Sequence, residues 1–217
     1  MAKITALDSH RRLATRTTAL PEDLAAGTRG AILDAALHLF AENSYGGTSV
    51  RDLCSRADVQ PTTLYSYFPS KEAVLAEIIR LGHEAHHRQL RNALLTAQPD
   101  PVAQIVVLVD AHVRVHCEYS MLSVVANAEL HSLSETAATA ALTIRKQSEA
   151  LFAEIIARGV RSGAFNTLDP MLAMTAIGGM GLRVAHWYSP DCGKTVDEIA
   201  RGYCDITLRI LGVRDAK

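Results

Sequence analysis

No cysteine pair, no long apolar run and no excess of charge marks this sequence, and each absence removes a class of protein. The four cysteines, Cys54, Cys117, Cys192 and Cys204, stand far apart with no CxxC pair. That spacing argues against a thiolate zinc site and a disulfide framework, and for a reducing compartment. No uninterrupted apolar stretch reaches the roughly 18 residues a membrane span needs, and the N-terminus has no apolar signal core. A cytoplasmic protein with no membrane partner is the expectation. Formal net charge is -1, so any site for a polyanion must be local rather than a property of the whole surface. There is no strand-like alternation of useful length, no internal repeat and no low-complexity tract. No GxSxG, glycine-rich phosphate loop or paired-carboxylate motif is present, so no catalytic residue and no cofactor are expected.

What is there is helical. Hydrophobic residues make up 48% and charged residues 21% of 217, an ordinary globular composition with enough chain for two small domains sharing a core. The first twenty residues carry Lys3, Arg11, Arg12 and Arg16 against Asp8, a basic arm expected to extend over 1–27. From Thr28, the apolar residues Ile32, Leu33, Ala36, Leu37, Leu39 and Phe40 recur at helical spacing. That helix is expected to stop before Tyr45-Gly46-Gly47, where paired glycines permit a left-handed cap. Thr48 or Ser49 can cap a short second helix, Pro61 suits the first position of a third, and Pro69 ends it before Ser70 caps a fourth. The three-residue turn Asp58-Val59-Gln60 gives helices two and three the spacing of a helix-turn-helix. Gln98-Pro99-Asp100-Pro101 marks a break. Beyond it, 102–119, 121–132, 134–162, 170–187 and 195–212 read as helices, the last two opened by Asp169-Pro170 and the capping box Thr195-Val-Asp-Glu198. The fold class is all-α, with a helix-turn-helix domain over 28–80 and a larger helical domain over 81–217.

The stretch "ADVQPTTLYSYFPSKEAVL" crowds short hydroxyls and aromatics between two prolines. A helix entering the major groove needs short hydrogen-bonding side chains near its N-terminus, with donors beside them to fix its register on phosphates. Gln60, Thr62, Thr63 and Ser66 supply the first requirement. Tyr65, Tyr67 and Lys71 can reach phosphates, as can Thr48 and Ser49 from the start of the preceding helix. Leu64 and Phe68, at i and i+4, are expected to face inward.

The segment "AILDAALHLFAENSYGGTSVRDLCSRADVQPTTLYSYFPSKEAVL" resembles the DNA-binding domain of the TetR family of transcriptional repressors. The resemblance rests on the "LF" closing the first helix, the "G-T-S-V-R-D-L" entry to the second and the "LY-x-YF-x-S-K-E" close of the third. Cys54 departs from the alanine or other small residue usual there. The resemblance implies a homodimeric repressor that binds a palindromic operator. Its C-terminal domain would hold an effector pocket and the dimer interface. The tail "HWYSPDCGKTVDEIARGYCDITLRILG" is similar to that of TetR-like regulators of fatty-acid and steroid catabolism, several of which respond to acyl-CoA thioesters.

An apolar cavity with a few convergent polar groups is what a small-molecule site requires. His112, His116, Tyr119, Asn127, Glu129, Met174, Arg183 and Trp187 are isolated among apolar neighbours and form the candidate pocket; Arg183 and Arg145 could pair an acidic ligand. His112 and His116, at i and i+4, would suit two imidazoles on one ion. His83, His86 and His87 gather elsewhere in the sequence, and no cysteine or carboxylate completes either group, so no metal site is expected. Gly178, Gly179 and Gly181 each weaken a helix by about 1 kcal/mol. They would permit close approach at a dimer seam or leave space for a ligand beside Met174, Ile177 and Met180. The stripe Val196, Ile199, Tyr203, Ile206 and Ile210 is the other expected face of that seam. The rival class is a helical enzyme or metal-binding protein with an incidental helix-turn-helix.

Overall fold

Most helix starts fall where a short polar residue or a proline supplies them. The structure, a computed structural model, describes residues 20–21 and 24–213, so the basic residues Lys3, Arg11, Arg12 and Arg16 lie outside the described residues. Helix α1 (Gly27–Asn43) buries Ile32, Leu33, Leu37 and Phe40 completely or nearly so. It ends on Ser44, whose φ of 62° takes the left-handed region, rather than on the glycine pair. Gly47 answers a different need, because a Cβ there would meet the Asn43 carbonyl oxygen at 2.2 Å.

Helix α2 (Val50–Ala57) is opened by Ser49, which accepts the Asp52 N–H while its own N–H donates to the Asp52 carboxylate. The two Ser49 hydrogen bonds hold the Asp52 carboxyl below its usual range. It closes on Asp58 at φ 53°, a conformation that a short acidic side chain tolerates. Helix α3 (Pro61–Tyr67) begins on its proline, whose missing N–H would have no partner there, and stops before Pro69. Ser70 caps α4 (Lys71–Leu95), a single 25-residue rod.

Then come α5 (Pro101–Glu118) and α6 (Ser120–Ala128), which bend at Tyr119. The expected helix 121–132 is interrupted at Glu129, and a 3₁₀ turn over Leu130–Ser132 follows, with the Ser132 hydroxyl donating to the Glu129 carboxylate. Helices α7 (Glu135–Ser162), α8 (Pro170–Trp187) and α9 (Val196–Ile210) complete the chain, the last two on the expected caps. No strand occurs among the described residues.

Two large apolar cores result among the described residues. The first joins Leu33, Phe40, Leu53, Leu64, Phe68 and Ile78 of α1–α4, and Leu20 and Leu24 already pack against it. Met121, Leu122 and Val125 of α6 belong to it too, so a C-terminal helix completes the N-terminal core. The second unites Leu90 with Leu108, Ile156, Ile177, Val184 and Ile199. Helix α4 contributes to both, and a boundary at residue 80 falls inside one continuous helix.

Candidate functional site

The outer face of α3 carries what the sequence placed there. Gln60, Thr62, Tyr65, Ser66 and Tyr67 are exposed and Thr63 is half-buried, while Leu64 and Phe68 anchor the helix from beneath. Tyr65 and Tyr67 keep 51% and 47% of their surface in solvent, unusual for aromatic rings without a partner to meet. Three expectations need correction. Thr48 is 2% exposed, and its hydroxyl donates to the Leu39 and Ser44 carbonyls at 3.2 and 3.0 Å. A phosphate offers only acceptors, and the proton that could have met it is already used; Thr48 pins the loop instead. Lys71 donates to the Tyr45 and Thr48 carbonyls at 2.8 and 2.6 Å, with its ammonium 4.0 Å from the Tyr45 ring centre. It therefore ties the loop before α2 to the start of α4, with one N–H left for an anion. Ser49 is committed to its capping box. Arg51, exposed on the first turn of α2, was overlooked; a cation beside a helix start adjoining the reading helix was the signal.

The second site is a cavity of about 450 Å³ lined by α4, α5, α6, α7 and α8 and partly open to solvent. His112, His116, Asn127 and Met174 line it as expected. Tyr119 packs on the first core, and buried Glu129 is held by Ser132. Arg183 and Trp187 sit on the exposed side of α8. These four do not line the cavity, because the helical rotation that brings Met174 inward turns Arg183 and Trp187 outward. Sequence reading missed His83, His86, Ser148 and Glu149, contributed by α4 and α7; Arg145, weighed as a partner for an acidic ligand, does line the cavity, 3.0 Å from Glu149.

The histidines are brought together by the pairing of α4 with α5, which overturns their separation in the sequence. His86 Nε2 lies 2.7 Å from His112 Nδ1. The rings of His112 and His116 are 4.5 Å apart, and those of His86 and His116 5.4 Å. His112 Nε2 faces the Gly178 carbonyl at 3.1 Å, and His116 Nδ1 faces the His112 carbonyl at 2.6 Å. A carbonyl can only accept, so those two nitrogens carry the protons, leaving lone pairs on His112 Nδ1 and His116 Nε2. Burial pushes His112 down to about 4 and His116 to about 3, and holds His86 well below its ordinary value. All three are neutral at pH 7. His83, pushed to about 4 by burial and then by Arg145, has a buried Nε2 with no hydrogen-bond partner.

Gly181 belongs to this arrangement: a Cβ there would sit 1.9 Å from His112 Cδ2. At Gly178 and Gly179 a Cβ would meet nothing within 4 Å, and both glycines line the cavity. Of the two readings of this glycine cluster, space beside a ligand fits residues 178 and 179, and room for an imidazole explains 181. The stripe on α9 also divides, because Ile199 is buried in the chain's own core whereas Ile206 is 45% exposed. Burial pushes the Cys117 and Cys204 thiols up to about 12 and about 11, which leaves them unreactive. Among the described residues no helix is long and apolar enough to cross a membrane.

Residues 98–211 match the family described as tetracyclin repressor-like, C-terminal domain, and residues 32–78 match bacterial regulatory proteins, tetR family. The chain is 25% identical over 183 residues to the HTH-type transcriptional repressor KstR2 of Rhodococcus jostii, covering 84% of this chain and 90% of that one. A solved bacterial regulatory protein of the tetR family from Rhodococcus RHA1 superposes with a TM-score of 0.81 at 27% identity, covering 88% of this chain and 100% of the other. AibR, solved with isovaleryl coenzyme A and operator DNA, shares the fold at a TM-score of 0.74 and 20% identity, over 87% of this chain and 100% of its own.

Proposed function

The chain belongs to the TetR family of bacterial regulatory proteins, and on that premise we propose that it is a cytoplasmic repressor that binds a palindromic operator as a homodimer and leaves it when a small, mostly apolar effector fills the cavity. Residues 28–80 form the DNA-reading unit and 81–217 the effector and dimer unit, joined through α4. Gln60, Thr62, Thr63 and Ser66 read base edges, while Tyr65, Tyr67 and Arg51 meet phosphates. His112, His116, Asn127 and Met174 contact the effector.

The observation that carries this reading is the cavity on the same helix whose first residue, Lys71, clamps the loop leading into α2. Its volume falls within the roughly 300–1,000 Å³ of small-molecule sites. The lining mixes polar groups such as His112, His116, Asn127 and Arg145 with apolar Ala126, Phe152, Met174 and Leu182, which suits a ligand with an apolar body and a polar or anionic end, such as a lipid-derived acid or its CoA thioester. The likeness to KstR2, the fold's occupancy by an acyl-CoA in AibR and the similarity of the tail favour that class. A dimer seam built on Met171, Leu172, Trp187 and Ile206, exposed on α8 and α9, accounts for apolar surface that a monomer would leave in water.

The test is a gel-shift titration. The protein is mixed with DNA from its own promoter region, then acyl-CoAs, free fatty acids and steroid acids are added in turn. A ligand of the proposed class lowers operator affinity about 5- to 150-fold. Asn127→Leu should blunt that release and leave ligand-free DNA binding near normal. Release by a cationic drug alone, or by nothing in the panel, overturns the effector class; failure to bind any promoter fragment overturns the repressor reading itself.

A further inference from the structure

We propose that His86, His112 and His116 hold one divalent first-row transition-metal ion, with the remaining coordination position facing the cavity. Three ligand nitrogens from two neighbouring helices lie within 4.8 Å of one another. Among the described residues no thiolate or carboxylate joins them, and an all-imidazole set suits zinc, nickel, cobalt or copper rather than magnesium or calcium. The ion site itself does not depend on the operator reading; its role toward a bound acid rests on the effector proposed above.

The surroundings are built around the imidazoles rather than merely filled by them. Histidines that ligate metals usually donate their other ring N–H to a carbonyl or carboxylate, which fixes the tautomer and aims the lone pair. Two of the three do so here, onto the carbonyls of Gly178 and His112. Position 181 is glycine, where any side chain would strike the His112 ring. His86 and His112 now share one proton across 2.7 Å. Zinc with Zn–N bonds of about 2.0–2.1 Å in a tetrahedron sets its nitrogens about 3.3 Å apart, so an ion in place of that proton asks this pair to part by about half an ångström and the widest of the three spacings, within 4.8 Å, to close by up to about 1.5 Å. The displaced proton moves to His86 Nδ1, and the ligand set stays neutral.

A dication on three neutral imidazoles keeps its whole charge, inside a cavity where the Glu149 carboxylate is already paired with Arg145. The open position therefore favours an oxygen anion: hydroxide in the resting state, or the carboxylate end of a bound acid. That would make the ion the anchor for the polar end of the effector. It also gives the cavity a positive centre beyond Arg145, whose own charge is already met by Glu149.

Zinc binding to the tag-free full chain, stripped of metal by chelator, is measured by calorimetry, and cobalt(II) is followed by its visible absorption. One zinc per chain, bound more tightly than about 1 μM, is expected. The cobalt complex should show the intense bands of four-coordination. His86→Gln and His116→Gln should each lose at least about 100-fold in zinc affinity, since even neighbours of metal ligands typically cost 10–100-fold. Circular dichroism confirms that both variants remain helical, and the cobalt spectrum of the unsubstituted protein reads the donor set should either fail to fold. Adding a medium-chain fatty acid should shift the cobalt bands. Zinc affinity no different in the two variants, or cobalt bands of pale six-coordinate form, overturns the site; bands indifferent to the acid overturn the anchor.

Discussion

Gly181 and Gly178 lie on the same helix three residues apart and should respond to the same substitution in opposite directions. Gly181→Ala drives a methyl group into the fixed His112 ring, and overpacking of about 1–3 kcal/mol outweighs the roughly 1 kcal/mol that alanine adds to a helix. Gly178→Ala meets open cavity and keeps the helix gain of up to about 1 kcal/mol, while narrowing the ligand space. Urea unfolding of both variants should place them on either side of the parent; equal destabilisation would mean that the cavity is filled by side chains. At this scale the sequence was half legible. The polar outer face of α3 followed from its residues, because exposure and hydrogen-bonding chemistry are local there. The partners of His112 could not be read, because His86 lies 26 residues away and meets it only through the packing of α4 on α5.

Between elements, the loop from α1 to α2 is secured by polar bonds rather than by a core. Lys71 holds two of its carbonyls and the Thr48 hydroxyl bonds two more at its edges. Lys71→Met should therefore cost about 1–3 kcal/mol by leaving half-buried carbonyls unmet, and it should weaken DNA binding alike on all sequences. Gln60→Ala should instead alter which operator variants are preferred, a contrast that a randomised-operator selection reads directly. Further along, Glu77 joins α1 to α4 through Arg29, and Arg80 binds both Glu77 and Glu84. The hydrogen bond from Arg80 and the nearby guanidinium charges lower the Glu77 carboxyl. A lowered carboxyl stabilises the folded state above its unfolded value of about 4.5 and loses that contribution as pH falls through its folded value. Glu77→Gln should flatten the acid limb of the stability profile below about pH 4.5 and leave neutral stability less dependent on salt. Helix starts were the most legible feature at this level, since Ser49, Pro61, Ser70, Asp169 and Thr195 cap by chemistry confined to one turn. The end of α1 was not, because Gly47 is required by a contact with Asn43 and not by its own φ.

Across the whole molecule, α6 faces both ways. Leu122 and Val125 sit in the core under the DNA-reading helices, while Ser123 and Asn127 line the cavity and Ala126 touches both. Enlarging that joint, as in Ala126→Val, should change the ratio of operator affinities with and without effector more than either affinity alone, which a two-ligand titration separates. A boundary drawn at residue 80 misses this shared packing, since periodicity within one helix says nothing about which core receives it. The unbroken run of α4 has a mechanical consequence. From Lys71 to His86 the rod is about 22 Å long at 1.5 Å per residue. A tilt of about 8° pivoting at the cavity would sweep its tip by about 3 Å, close to the ~3.4 Å spacing of stacked base pairs. The protein thus has gearing. An adjustment small enough to be absorbed by a few side chains around a bound molecule becomes, at the far end, a displacement as large as a step in the operator's own lattice.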